Sequence, residues 1–138
     1  MFQAQLVKAD YAIDIALLKI EEGDYYYSYL ELEKIPYPGE EIIILGYPFG
    51  KNVNDDVMAL NISFAKGYVS SNQVVNGINR TLLDISAKAG NSGSPIISTE
   101  SGKVIGILCG SMLGGLNNRE EINYMIPISY IDKVLDKN

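Results

Sequence analysis

Residues 90–95 read Gly-Asn-Ser-Gly-Ser-Pro, which places one glycine two positions before Ser92 and another directly after it. Glycines permit a sharp turn and carry no side chain that would block an approaching substrate carbonyl. In such a turn the hydroxyl of Ser92 is exposed, and the N–H groups of Gly90 and Ser92 can face a developing oxyanion. Plain hairpin loops often have the same composition. The stretch therefore predicts either a nucleophile turn or an ordinary loop, and its surroundings must decide.

Short apolar segments separated by Gly, Asn and Pro lie on both sides of this turn, as expected of strands. Gly67 falls inside one of them and predicts a bulge or bend there. Apolar residues recur at helical spacing after Pro127, so residues 127–136 are predicted to form a C-terminal α-helix. Many short strands indicate an all-β barrel or sandwich. The predicted strands are residues 4–8, 15–20, 41–47, 60–70, 80–85, 95–98, 103–109 and 122–126.

A second informative stretch, residues 10–19, reads Asp-Tyr-Ala-Ile-Asp-Ile-Ala-Leu-Leu-Lys. Asp14 directly precedes an apolar segment that is predicted to be a buried strand. By itself, an aspartate in this position is most simply a turn residue at the start of a strand.

Together, the two stretches resemble the trypsin-like serine peptidases. Residues 90–95 are similar to the family's Gly-Asp/Asn-Ser-Gly-Gly/Ser-Pro motif, with Val-Ile-Gly-Ile following at 104–107. The form with Asn and Ser resembles the glutamyl endopeptidase branch. Tyr-Pro-Phe-Gly at 47–50 and Ile-Asn-Tyr-Met-Ile-Pro at 122–127 resemble the Do-like, high-temperature-requirement branch. Residues 14–19, Asp-Ile-Ala-Leu-Leu-Lys, resemble the segment with the catalytic aspartate.

The resemblance implies a chymotrypsin-type fold, in which two β-barrels enclose a cleft. Only two predicted strands precede the linker that ends near residue 38, whereas six follow it. We therefore expect residues 1–38 to be a remnant of the first barrel plus the linker, representing that barrel's last two strands. Residues 39–138 are expected to form a complete second barrel with the C-terminal helix.

The resemblance also implies roles for individual residues. Ser92 takes the position of the nucleophile, Asp14 that of the carboxylate that orients the general base, and the N–H groups of Gly90 and Ser92 that of the oxyanion hole. The implied substrate is a peptide or protein. Its side-chain pocket is expected at two segments, Ser86, Ala87 and Lys88, and Cys109, Gly110 and Ser111. No acidic residue stands at the pocket-base position, Ser86, so a small or neutral side chain is expected before the scissile bond.

The chain contains no histidine, although the family's general base is one. Ser92 without a base keeps its proton and is a poor nucleophile. Lys88 is a poor substitute because a solvated lysine is mostly protonated. Three interpretations stay open: a truncated peptidase, a second chain that supplies the histidine, or a pseudoprotease that binds peptides or proteins without turnover. The incomplete first barrel leaves strand edges unpaired, which predicts self-association or a partner chain.

Net charge and cysteine count argue against several other classes of function. The net charge is −6, which argues against nucleic acid and anionic membranes as partners. The single cysteine cannot form an internal disulfide, and no signal peptide or membrane-spanning helix is apparent, so a cytoplasmic location is favoured. Nothing in the sequence indicates a metal site or another cofactor.

Overall fold

The structure is a computed structural model that describes residues 3–20, 23, 28–32, 35–47, 62–114 and 120–131; the side chains of 112–121 are not among the described parts. The prediction of a mostly β fold is confirmed. The strands are β1 (Ala4–Asp10), β2 (Ile15–Ile20), β3 (Glu41–Gly46), β4 (Ser63–Val75), β5 (Ile78–Asp84), β6 (Pro95–Ser98), β7 (Val104–Gly114) and β8 (Glu120–Pro127).

Six of these strands close into a barrel in the order β3-β4-β5-β8-β7-β6, with every neighbouring pair antiparallel. The apolar run of β3 is explained by burial on both of its faces except at Leu45, which is exposed. Ile42 and Ile44 point into the barrel and are fully buried. Ile43 points outward and packs against a second apolar cluster that contains Ile97 and Ile128. Closure of the barrel removes the exposed edges that an open sheet would have.

The predicted bulge at Gly67 is wrong. Gly67 pairs regularly with Ile42, and the register of β4 against β5 shifts between Val69 and Ser71 instead. The glycine is needed for close packing, because a Cβ at this position would lie 2.7 Å from Cβ of Ile85 and would collide with the carbonyl oxygen of Asp84. A glycine within a strand can mark either a bulge or a close approach, and here it marks the close approach.

β1 and β2 form a separate two-stranded antiparallel sheet, the β1–β2 hairpin. Its turn is held by Asp10, whose carboxylate accepts a hydrogen bond of 3.0 Å from the N–H of Ala12. The hairpin docks on the barrel through Ile13 and Ile15, which pack with Ile126 and Tyr130. This contact fixes the start of β2 beside the last strand of the barrel.

The segment between hairpin and barrel is tied to the start of β7. Leu32 forms a parallel bridge with Val104, and the N–H of Val104 donates a 2.8 Å hydrogen bond to the carbonyl of Glu31. Lys103 and Glu31 add an exposed ion pair of 3.3 Å. The linker is therefore packed along the barrel where it is described.

At the C-terminal end, helix begins at Ser129, two residues later than predicted, and only residues 129–131 of it are described. Residues 132–136 of the predicted helix lie outside the described part. Ile128 and Tyr130 are buried and anchor this end of the chain to the barrel. Within the described residues, no helix has the length and apolar character needed to cross a membrane.

Candidate active site

The loop between β5 and β6 carries Ser92 on a tight, well-bonded turn. The N–H of Gly93 donates to the carbonyl of Leu108 at 2.7 Å, and the N–H of Leu108 donates to the carbonyl of Ser94 at 2.9 Å. Gly90 and Gly93 have φ angles of +94° and +88°, in the region that glycine adopts without steric cost. The two glycines thus shape the turn, and the bonds to β7 fix its position. Ser92 itself is exposed.

Buried residues on either side of Ser92 anchor the turn inside the barrel end. Asn91 is only 3% exposed and Ser94 is buried. Both side chains lie against Gly46 at the end of β3, where a Cβ would be 2.8 Å from Oδ1 of Asn91 and would collide with Oγ of Ser94. Because glycine has no side chain, Gly46 leaves room for Asn91 and Ser94 on either side of Ser92.

The backbone N–H groups of the turn divide into two sets. Those of Asn91, Gly93 and Ser94 donate to the carbonyls of Lys88, Leu108 and Asn91, respectively. Those of Gly90 and Ser92 donate to no group in the described part of the chain. An oxyanion hole is formed where two N–H donors of this kind aim at one point.

Asp14 lies at the end of the hairpin turn, immediately before β2. Its neighbours Ile13 and Ile15 are buried against the barrel, whereas Asp14 is exposed. Its φ of +59° is uncommon for a residue with a side chain, although Asp tolerates it better than most. Such outliers persist where surrounding packing enforces them, and they concentrate at functional sites.

Two consecutive residues of β7, Cys109 and Gly110, lie near the turns that carry the two predicted catalytic residues. Oγ of Ser92 lies 3.9 Å from the position that a Cβ on Gly110 would occupy. Burial, and after it the negative charge of Asp14, raise the pKa of the Cys109 thiol to about 11. Cys109 also packs against the apolar cluster that contains Ile13 and Ile15, the residues on either side of Asp14. The hairpin turn and the serine turn thus each lie near residues 109–110 of β7.

The residues of the predicted substrate pocket lie on two adjacent segments. Ser86 and Lys88 are exposed, and Ala87 packs partly on the barrel core. On β7, Cys109 and Gly110 are half-buried and Ser111 is exposed.

Asn123, for which the sequence predicted no role, links these segments. Its side-chain amide donates a 2.7 Å hydrogen bond to the carbonyl of Ile85, and its backbone pairs with Ser111. The loop at 86–88 is thereby held next to residues 110–111. In the sequence Asn123 belongs to the 122–127 stretch that resembles the Do-like branch, and this resemblance does not reveal its partner.

Comparison with known proteins identifies the family of this chain. The family model for the trypsin-like peptidase domain matches residues 1–107. The serine endoprotease DegS of Haemophilus influenzae is 28% identical over 140 residues, covering 99% of this chain and 39% of the relative. The serine protease Do-like HtrA of Bacillus subtilis is 28% identical over 144 residues, covering 97% and 30%.

A solved structure shares the fold. It is the crystal structure of an inactive serine-to-alanine mutant of Rv3671c from M. tuberculosis, with a TM-score of 0.73 and 19% identity, covering 99% of this chain and 64% of that one. The chain spans between 25% and 39% of the length of the first three curated relatives it matches. With the family model matching 107 residues out of 138, the chain belongs to the trypsin-like serine peptidase family.

Proposed function

We propose that this chain provides the nucleophile, the orienting carboxylate and the oxyanion hole of a serine endopeptidase, and that its general base is a histidine from outside these 138 residues. Ser92 is the nucleophile and Asp14 orients the imidazole. The N–H groups of Gly90 and Ser92 bind the oxyanion.

The proposed reaction proceeds through an acyl-enzyme. Oγ of Ser92 bonds to the carbonyl carbon of the substrate while the imidazole accepts its proton. The tetrahedral intermediate then collapses, the C–N bond breaks, and the amine leaves with that proton. Water, deprotonated in turn by the imidazole, releases the new carboxylic acid and restores the serine hydroxyl.

One observation carries the proposal: the exposed hydroxyl of Ser92 lies beside Gly110 on a glycine-bounded turn, and the adjacent Cys109 packs with Ile13 and Ile15, the residues on either side of Asp14. Each oxyanion donor contributes about 3–4 kcal/mol to transition-state stabilisation in related chemistry. The arrangement is thus suited to acyl transfer.

The missing base dominates the expected rate. Removing the histidine of a serine protease lowers kcat by about 10⁶-fold, and the oxyanion hole with substrate binding retains about 10³–10⁴-fold over water. We expect the chain alone to be almost inactive for this reason.

The test is labelling with a fluorophosphonate probe, which forms a covalent bond with an activated serine. The chain alone should label slowly, and added imidazole should accelerate labelling by about tenfold or more, because it restores a base of suitable pKa. Ser92→Ala should abolish the signal. Asp14→Asn should remove most of the acceleration but leave the slow reaction. Labelling that imidazole does not change, or that survives in Ser92→Ala, contradicts the proposal.

A second candidate is a pseudoprotease that binds peptides without cleaving them, and the histidine count of zero favours it. It predicts that imidazole has no effect on Ser92 while unlabelled peptides still bind. Isothermal titration with a protease-resistant peptide mixture, run on the wild type and on Ser92→Ala, separates the two. A binding module keeps equal affinity in both proteins and shows no labelling.

A further inference from the structure

Asn123 spans the gap between the two segments of the predicted substrate pocket. On one side its backbone pairs with Ser111 of β7. On the other side its Nδ2 donates a 2.7 Å hydrogen bond to the carbonyl of Ile85, directly before Ser86. The N–H of Ala87 donates to the same carbonyl at 3.1 Å. The carboxamide of Asn123 therefore reaches from β8 to the loop before the serine turn and is held at its far end.

The side chain of Asn123 lies on the face of β8 that is turned toward the inside of the barrel. Successive residues of a strand point to opposite faces, so Asn123 shares a face with Met125, two residues later. Met125 is fully buried in the barrel core, and Ala87 packs partly on the same core. Asn123 itself is half-buried, so it lies at the border between the core and solvent. A substrate side chain that enters between the two segments meets this amide before it reaches the core.

The hydrogen bond to Ile85 fixes both the position and the orientation of the Asn123 amide. Because a carbonyl oxygen only accepts hydrogen bonds, the nitrogen end of the amide faces Ile85, and Oδ1 is the other end. A long or aromatic substrate side chain would have to push the amide aside and break this bond. The space beside Asn123 is therefore suited to a short side chain.

The groups around this space are polar and uncharged. Oδ1 of Asn123 makes no hydrogen bond within the described residues and is not buried. Ser86 and Ser111 add two exposed hydroxyl groups. A charged substrate side chain that loses its water here needs a charged partner, and Lys88 is exposed, so water weakens its interaction with such a group. A hydroxyl group can donate to Oδ1 without that cost.

We propose that Asn123 is a specificity-determining residue, which restricts the side chain before the scissile bond to the short hydroxyl-bearing ones, serine and threonine. Its fixed amide excludes large side chains, and its Oδ1 accepts a hydrogen bond from the substrate hydroxyl. This inference rests on the proposed function and names its substrate class. The absence of an acidic residue at Ser86 predicts only a small or neutral side chain, and the contact made by Asn123 adds the limit on size and the hydrogen bond.

The probes are acetylated tetrapeptides that differ only in their last residue, whose carboxylate imitates the product of cleavage. The last residue is serine, threonine, alanine, phenylalanine, lysine or glutamate. Binding is measured by isothermal titration on Ser92→Ala, so the result does not depend on the reactivity of Ser92. We expect the serine and threonine peptides to bind about fivefold more tightly than the alanine peptide, as one neutral hydrogen bond provides. The phenylalanine peptide should bind about 100-fold more weakly than the serine peptide, because the amide excludes it.

Asn123→Ala, added to Ser92→Ala, tests the role of the amide, and Asn72→Ala is its matched control. The side chain of Asn72 also donates to a backbone carbonyl, that of Pro36 at 3.3 Å, but it lies on β4. Asn123→Ala should tighten binding of the phenylalanine peptide by about tenfold and abolish the preference for serine over alanine, whereas Asn72→Ala should leave both ratios unchanged. Asn123→Asp keeps the shape of the side chain and adds a negative charge, so the lysine peptide should gain about tenfold.

The inference is overturned if the phenylalanine, lysine or glutamate peptide binds best, if no peptide binds, or if the ratios are the same in Asn123→Ala. Imidazole-dependent fluorophosphonate labelling of the chain with Ser92 intact separates this failure from that of the proposed function. If Ser92 is labelled but the binding ratios do not depend on Asn123, the inference is wrong and the proposed function stands. If the ratios depend on Asn123 but imidazole leaves Ser92 unreactive, the pocket is as inferred and the proposed catalysis is wrong.

Discussion

At the scale of single residues, the pKa of the Cys109 thiol depends on its burial and on the charge of Asp14. These two influences raise its pKa to about 11, with burial the larger. At pH 8 only about one thiol in a thousand is then ionised, and the thiolate is the reactive form. Iodoacetamide should therefore alkylate the folded chain far more slowly than the unfolded one. Asp14→Asn should lower the pKa and speed the reaction. Alkylation at the same rate in folded and urea-unfolded protein would contradict this.

The same pKa gives the thiol a defined effect on stability. The thiol of Cys109 has a pKa of about 8.5 in the unfolded chain and of about 11 in the folded chain. The contribution of this thiol to the free energy of unfolding is therefore fully present below the unfolded pKa and is lost as the pH rises through the folded pKa. Cys109→Ser should flatten the fall in stability above pH 8.5, as measured by urea denaturation at several pH values.

Within the motif, the sequence was sufficient to pick out the residue types of the chemistry but not the residues that hold them. Gly90 and Ser92 belong to a local pattern, so their conformation follows from nearby residues. Gly46 lies 45 positions before Asn91, and nothing local to either shows that they touch. The hydrogen bond from Asn123 to the carbonyl of Ile85 could not be predicted for the same reason, since 38 residues separate the two. The catalytic, oxyanion and pocket roles of the selected residues stay predictions until labelling tests them.

At the scale of elements, Gly46, the last residue of β3, packs directly against the turn that carries Ser92. Gly46→Ala would put a Cβ 2.8 Å from Oδ1 of Asn91 and into Oγ of Ser94. Such overpacking costs about 1–3 kcal/mol of stability, and it should also displace Ser92. We expect a lower midpoint in urea denaturation and slower imidazole-dependent labelling.

Gly77→Ala is the control for Gly46→Ala. Gly77 has a φ of +77° and no atom within 4 Å of its would-be Cβ, so it is strained without a clash. The change should cost about 1–2 kcal/mol through backbone strain alone. Since Gly77 lies in the β4–β5 turn, labelling of Ser92 should be unaffected. If both variants slow labelling equally, the effect is loss of general stability and not displacement of the turn.

Element positions were predictable where apolar runs are bounded by turn residues, as at β2, β3 and β6. β4 was harder because its second half, Ser71 to Val75, is mostly exposed and polar and lacks the alternation of a half-buried strand. β7 was expected to end at Cys109 but continues to Gly114 through pairing with β8. Long-range pairing, which the local pattern does not contain, sets these ends.

At the scale of the whole molecule, the arrangement of hairpin and barrel decides whether the site exists. Asp14 belongs to the hairpin and Ser92 to the barrel. The hairpin is fixed on the barrel by the contact of Ile13 and Ile15 with Ile126 and Tyr130. The resemblance was sufficient to predict one closed barrel and two further strands. The division of the chain near residue 38 and the need for a partner stay predictions, because they depend on what lies outside this chain.

Ile15→Ala tests the contact on which the whole site depends. Ile15 is buried against the barrel, so its truncation should cost about 2–5 kcal/mol and loosen the hairpin first. Hydrogen exchange should become faster in β1 and β2 while β3, β6 and β7 stay protected. Leu18→Ala is the matched control, because Leu18 is on the same strand but faces solvent. It should change neither exchange nor labelling.

Asp14 moves with the hairpin, so Ile15→Ala should also lower the pKa of Cys109, and alkylation at pH 8 should become faster. Equal protection of hairpin and barrel in Ile15→Ala would mean that they unfold as one unit, and that the position of Asp14 relative to Ser92 does not depend on this contact.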